Sequence, residues 1–264
     1  MKEGLQALNA YQVASIRMIG GGLVLLPFLP RALKRVPREK LGIMLLSGLL
    51  GSFFPAYLFC LAETRLDSAL AGIMNALTPL FTLGVGVLFF QAKISRLKWL
   101  GVILGFAGLV LLILAGGQTI DFTYVGFASF ILLATLLYGI NVNLVNKHLH
   151  HIASLDIATI AFSFLILPGA LVLWISGFPG PEAYSRSWVW SVGASAILGM
   201  LGTALASVLF YVLLKKAGPV FASMVTYGIP FVALGWGLLA GETIQFLQVC
   251  CLGLILAGVY LARK

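Results

Sequence analysis

Two stretches of this chain read alike. The first is Ala71-Gly-Ile-Met-Asn75-Ala-Leu-Thr78-Pro79-Leu-Phe-Thr-Leu83-Gly84-Val-Gly86-Val-Leu88. The second is Ala222-Ser-Met-Val-Thr226-Tyr227-Gly-Ile-Pro230-Phe-Val-Ala-Leu234-Gly235-Trp236-Gly237-Leu-Leu239. Each is apolar, each carries a proline near its middle, and each follows that proline with Gly-x-Gly at the same distance. The offset is 151 residues. It extends outward, since Gly48, Gly51, Ser52 and Phe59 face Gly199, Gly202, Thr203 and Phe210. After one deletion the offset becomes 150, and Gly108 faces Gly258.

A repeat of apolar stretches about 20 residues long points to a bilayer. The whole composition agrees. The chain has 264 residues, of which 61% are hydrophobic and 9% charged, against roughly 45–50% and about 25% in a soluble domain. Its mean hydropathy is +1.06. No soluble domain of this size has the interior to hide so much apolar surface. That excludes a disordered chain and a nucleic-acid tail, and argues against a soluble enzyme. Period-two alternation is absent, which argues against a β-barrel. The start of the chain is no convincing signal peptide, because Met1-Lys2-Glu3 is nearly neutral and no small-x-small cleavage site follows.

The pattern predicts an all-α integral membrane protein with nine spans: 11–29, 41–62, 68–90, 98–115, 122–146, 155–175, 187–214, 219–240 and 245–262. Nine successive crossings put thirteen basic residues on one face and three on the other, with Arg17 inside a span. The basic face, holding Arg31, Lys34, Arg35, Arg38 and Lys40 among others, is expected in the cytoplasm together with the C-terminus. The net charge of +9 is thereby accounted for by orientation. It implies neither nucleic acid nor an anionic solute.

Equivalent spans are five apart in order. Five is odd, so the two halves are expected upside down to one another, as in many secondary transporters. The halves would be 1–115 and 122–264. Span 122–146 projects back to before Met1. The expected parent form is therefore ten helices in a 5+5 arrangement lacking its first helix here; a true nine-helix form is the alternative.

A proline inside a helix donates no hydrogen bond and crowds the carbonyl four residues earlier. For Pro79 and Pro230 those carbonyls belong to Asn75 and Thr226, themselves repeat equivalents. Freed carbonyls at mid-membrane depth are tolerated where they line a cavity or find a polar partner. The expectation is a substrate cavity; the alternative is a kink that only shapes packing, with side chains closing the gap. Tyr57, Thr78, Tyr138, Asn141, Thr203, Ser207, Tyr211, Tyr227 and Trp236 are candidates to join it. A lone Ser or Thr often bonds its own helix backbone, and Tyr or Trp near span ends can belong to the interfacial belt. Asn75 and Asn141 are firmer candidates, because an amide facing lipid is costly. Arg17 either snorkels outward or binds a substrate carboxylate or Glu63.

Other features carry less. Cys60, Cys250 and Cys251 form no CxxC and read as packing residues. His148, His150 and His151 have only Asp156 near them, so a solvated connection is expected and no metal or cofactor. Gly101-x-x-x-Gly105 and Gly237-x-x-x-Gly241 permit close helix approach, within the chain or across a homodimer face; internal packing is expected. No Walker motif, HExxH or GxSxG is present, and no carboxylate pair sits centrally in a span.

The doubled order of motifs resembles the drug/metabolite transporter superfamily, in its EamA-type branch. The second copy reads Pro230, then Gly241-Glu242-Thr243-Ile244, then Gly253-Leu-Ile-Leu-Ala-Gly258. The first reads Pro79, then Gln91-Ala92-Lys93-Ile94-Ser95, then Gly101-Val-Ile-Leu-Gly105-Phe-Ala-Gly108. Arg17 resembles an arginine found early in the family's second helix. Gln91 departs from the glutamate usual in the first copy, and the family's first helix is absent. The resemblance covers nearly the whole chain. It implies a carrier of small organic solutes, among them amino acids, other metabolites and drugs, in the cytoplasmic membrane, with a central cavity between the halves. The competing expectation is a non-transporting membrane sensor or assembly protein; an intramembrane enzyme is disfavoured for want of a nucleophile–base set.

Overall fold

A computed structural model describes residues 3–66, 68–115, 125–179, 184–232, 235 and 246–263. Among these the chain is helical throughout, with no strand. The helices are α1 (Ala10–Leu25), α2 (Leu29–Arg35), α3 (Arg38–Gly48), α4 (Phe54–Ala62), α5 (Ser68–Asn75), α6 (Thr78–Phe90), α7 (Arg96–Ala115), α8 (Val125–His148), α9 (Ser154–Ile175), α10 (Arg186–Ile197), α11 (Ala206–Ser223) and α12 (Phe246–Arg263). Asn9 starts α1 with a reciprocal cap: its Oδ1 accepts from the Gln12 N–H at 2.9 Å, and the Gln12 side chain accepts from the Asn9 N–H at 3.1 Å. Gln91, where the resemblance has a glutamate, closes α6 as a left-handed residue with φ 53°.

Among the described residues six stretches are long and apolar enough to cross a membrane: Ala10–Arg35, Arg38–Ala62, Gly126–His148, Ser154–Ile175, Arg186–Val232 and Phe246–Arg263. The protein is a multi-pass, all-α membrane protein. Predicted span 98–115 corresponds to α7, which is not among the six, and one predicted span is divided. Span 68–90 is not one helix; it is divided at residues 76–77 into α5 and α6. The predicted break between spans 187–214 and 219–240 falls at Gly218, with φ 83°, inside the stretch Arg186–Val232. A left-handed residue followed by a proline suits glycine and ends the regular helix there. Residues 233–234 and 236–245, with Trp236, Gly237, Gly241 and Glu242, lie outside the described residues.

Two structural breaks fall at repeat-equivalent places. A π-helical turn, Leu49–Phe53, joins α3 to α4, and a second, Leu198–Leu205, joins α10 to α11. They contain Gly51-Ser52 and Gly202-Thr203, the pairs already matched at 151. A π turn inserts extra backbone into a helix and re-aims the segment after it.

The prolines sit differently from a mid-helix kink. Pro79 occupies the first turn of α6, where its missing N–H was not needed. Pro230 follows a 3-10 turn, Met224–Gly228, after which residues 229–232 are helical again. Both are breaks between helices.

Packing runs along backbone seams. α1 lies against α9 and the second π turn, α6 and α4 against α8, and α7 against α12. At the α7–α12 seam the glycines are essential: a Cβ on Gly258 would lie 2.6 Å from the Gly101 carbonyl oxygen and 2.8 Å from the Gly105 Cα. Only hydrogen at Cα permits that approach. The Gly101-x-x-x-Gly105 stripe thus packs within the chain. Just before the Gly218 break in α11 the Lys215 Nζ donates to the Ile152 carbonyl in the α8–α9 turn.

Candidate functional site

Between the two π turns and the two proline junctions lies a cavity of about 350 Å³, in the range of ligand sites generally. Its walls come from Arg17 on α1; Gly51, Ser52 and Ala56 around the first π turn and α4; Asn75 and Thr78 at the first junction; and Tyr138, Asn141 and Val142 on α8. The other side is Gly202, Thr203, Ala206, Ser207, Phe210 and Tyr211, with Ser223, Val225 and Thr226 at the second junction. Four repeat-equivalent pairs, each 151 apart, face the same space: Gly51 with Gly202, Ser52 with Thr203, Ala56 with Ser207, and Asn75 with Thr226.

The sequence candidates divide accordingly. Arg17, Asn75, Tyr138, Asn141, Thr203, Tyr211 and Thr226 line the cavity. Tyr57, Pro79, Pro230 and Tyr227 are not among its lining residues. The Tyr57 hydroxyl pairs with Ser15 Oγ at 2.7 Å, and its ring packs 4.8 Å from Phe53. Tyr227 is fully buried in another seam, where its hydroxyl donates to the Val102 carbonyl at 3.0 Å. The two prolines lie at the junctions whose residues Asn75, Thr78 and Thr226 line the cavity.

The carbonyls named as freed acceptors are already engaged. The Thr78 hydroxyl donates to the Asn75 carbonyl at 2.6 Å. The Ile229 N–H donates to the Thr226 carbonyl. The polar groups left to face the cavity are side chains. Thr78 Oγ1 also lies 3.4 Å from Asn75 Oδ1, and the Thr226 hydroxyl donates to the Ser223 carbonyl at 3.1 Å.

Asn141 is the best-held polar group. The Ser47 hydroxyl donates to its Oδ1 at 2.7 Å and lies 3.3 Å from the Tyr211 hydroxyl. Its amide rests on the bare face of Gly51, where a Cβ would stand 2.7 Å from Asn141 Cγ. Tyr138 stacks on Phe59, centroids 6.1 Å apart. Arg17 is buried, and its Nη2 donates to Thr203 Oγ1 at 3.2 Å. Gly199 holds the second π turn against that part of α1: a Cβ there would be 2.8 Å from the Arg17 Cα.

Sequence reasoning missed Ser47, which bridges Asn141 and Tyr211, and Asn143, whose Nδ2 donates to the Thr82 carbonyl at 2.9 Å across the α6–α8 seam. It also left Phe210 and Val225 unnamed as walls. Among the described residues no group of three or more His, Cys, Asp or Glu comes together as a metal site.

Comparison with known proteins fits this geometry. A model of the EamA-like transporter family matches residues 1–114 and 127–263. The uncharacterized inner membrane transporter YedA of Escherichia coli strain K12 is 26% identical over 272 residues, covering 98% of this chain and 83% of YedA. The uncharacterized transporter YdfC of Bacillus subtilis strain 168 is 27% identical over 125 residues, covering 47% of this chain and 40% of YdfC. A crystal structure of another protein superposes with TM-score 0.71 at 17% identity, over 99% of this chain and 89% of that one, and shows the shared fold. With both match segments together spanning nearly the whole sequence, the chain belongs to the EamA-like transporter family.

Proposed function

We propose that this membrane transporter is a secondary carrier of a small organic solute, working by alternating access in the cytoplasmic membrane. One observation carries the reading. Four pairs of residues at a single sequence offset face one cavity, which is what two related halves closing on a shared site would produce. On this reading residues 1–115 and 122–264 are the halves, inverted relative to each other. The nine segments all cross, and the C-terminus lies in the cytoplasm on the basic side. Arg17, Asn75, Tyr138, Asn141, Thr203, Tyr211 and Thr226 hold the solute. The two π turns and two proline junctions supply the irregular backbone that lets each half re-aim its walls.

The test is saturable uptake into proteoliposomes containing the purified chain, with amino acids, nucleotides, sugars, carboxylates and cationic drugs as solutes. Saturable flux that Asn75→Ala and Thr226→Ala both weaken supports the reading. Flux with unchanged affinity and rate in both variants removes the cavity from it. A protein that binds a solute but never moves one is instead a sensor.

A further inference from the structure

Arg17 stands near the middle of α1 and is 9% exposed. One of its guanidinium nitrogens has Thr203 as its acceptor; the other two, Nε and Nη1, are buried with no hydrogen-bond partner. A guanidinium stays charged in a protein, and a buried charged donor without an acceptor is costly. Among the described residues no Asp or Glu lines the cavity. The other polar walls, Asn75 and Asn141, are neutral amides, and Tyr138 and Phe210 offer aromatic faces. Among its described walls the cavity therefore presents one fixed cation and no fixed anion. A cationic solute meets uncompensated repulsion there. A zwitterion's ammonium finds no carboxylate among the described walls, only neutral oxygens and the faces of Tyr138 and Phe210. A carboxylate matches the planar fork of the guanidinium.

We propose that the solute of this cavity is a small monocarboxylate without an ammonium group, its carboxylate held by Arg17. This rests on the reading of the cavity as the carrier's solute site. Rotation about the outer torsions of Arg17 exchanges the Thr203 hydroxyl for the carboxylate, which then spans Nη2 and one of the two orphaned nitrogens. The aromatic walls take the solute's apolar body.

The experiment uses the purified full chain and a matched set of probes: propionate, benzoate and 3-phenylpropionate, each beside its own amide, with phenylalanine and phenethylamine as the zwitterion and the cation. Melting temperature is followed against probe concentration, since a ligand of the folded state raises it. At least one carboxylate is expected to raise it dose-dependently, with its amide and the cation inert and the zwitterion weaker. Arg17→Gln is expected to weaken that carboxylate roughly 10- to 100-fold, the equivalent of one charge-assisted hydrogen bond, and Arg17→Lys to keep part of the effect. A shift as large for the amide or the amine overturns the proposal, as does no shift with any carboxylate, or an undiminished shift in Arg17→Gln. The acid–amide contrast on the unsubstituted chain decides the matter even where the Arg17 variants fold poorly. Proteoliposome uptake of the same probes separates the two readings. Saturable flux indifferent to the carboxylate leaves a carrier and overturns the anion site. Arg17-dependent carboxylate binding without flux keeps the anion site and overturns the carrier.

Discussion

At the first proline junction the Thr78 hydroxyl closes the Asn75 carbonyl from a side chain, at 2.6 Å; at the second the Ile229 N–H closes Thr226 along the backbone. The two π turns differ in the same way. The first is five residues long and lies under the Asn141 amide; the second is eight residues long and meets Arg17 through Thr203. The repeat thus keeps the backbone breaks and varies the side chains. Equivalent positions therefore present an amide or a hydroxyl, and one side alone receives a cation. Among its described walls the cavity is polarised by that divergence.

Substitutions at equivalent positions sharpen the comparison. The largest effect is expected at the α7–α12 seam. Gly258→Leu puts side-chain atoms into the Gly101 and Gly105 backbone, and overpacking against backbone costs about 3 kcal/mol. At Gly108, the repeat equivalent, a Cβ would meet the Ile255 backbone nitrogen at 3.0 Å, so Gly108→Ala is expected to cost less than Gly258→Ala. Melting temperature in detergent reads both.

Next come the π-turn glycines. Gly51→Ala must displace the Asn141 amide and break its bond to Ser47, for a loss of roughly 1–2 kcal/mol in stability and a weakened solute. In Gly202→Ala the Cβ meets the Leu198 Cδ1 at 2.8 Å, the far end of a flexible side chain. The better helix propensity of alanine, worth about 1 kcal/mol, is expected to offset that. Equal effects from the two changes would mean the π turns are interchangeable.

A smaller difference is expected at the junctions. Thr78→Val leaves the Asn75 carbonyl without its hydroxyl and is expected to cost about 1 kcal/mol. Ile229→Val leaves the N–H bond to Thr226 in place and is expected to cost at most about 1 kcal/mol by trimming one methyl group. The smallest effect on transport is expected from Tyr227→Phe. It removes the bond to Val102, lowering stability by about 1 kcal/mol while leaving solute affinity unchanged. A fall in affinity would put Tyr227 at the cavity.

The solvent for this chain and most of its segmentation were legible because hydropathy acts over whole spans and averages out local detail. The matched Gly51-Ser52 and Gly202-Thr203 pairs marked the π turns without disclosing them, since glycine and a hydroxyl fit many backbones. Pro79 was legible as a disturbance. Whether it kinks a helix or starts one depends on the tertiary surroundings of residues 76–77, which no local pattern specifies. The partners of Ser47, Asn143 and Tyr227 lie 94, 61 and 125 residues away in sequence. A helix that is apolar on every side gives no sign of which face meets protein and which meets lipid. That is why Tyr227 was grouped with Tyr211 although the two point to different seams.

The seam between α7 and α12 carries a mechanical consequence. Among the described residues neither helix lines the cavity, yet they are the last helices of the two matched segments and touch backbone to backbone. Interlocked main chains resist sliding far more than side chains that can change rotamer. On the proposed alternating-access reading, this pair would serve as a clasp about which the halves pivot.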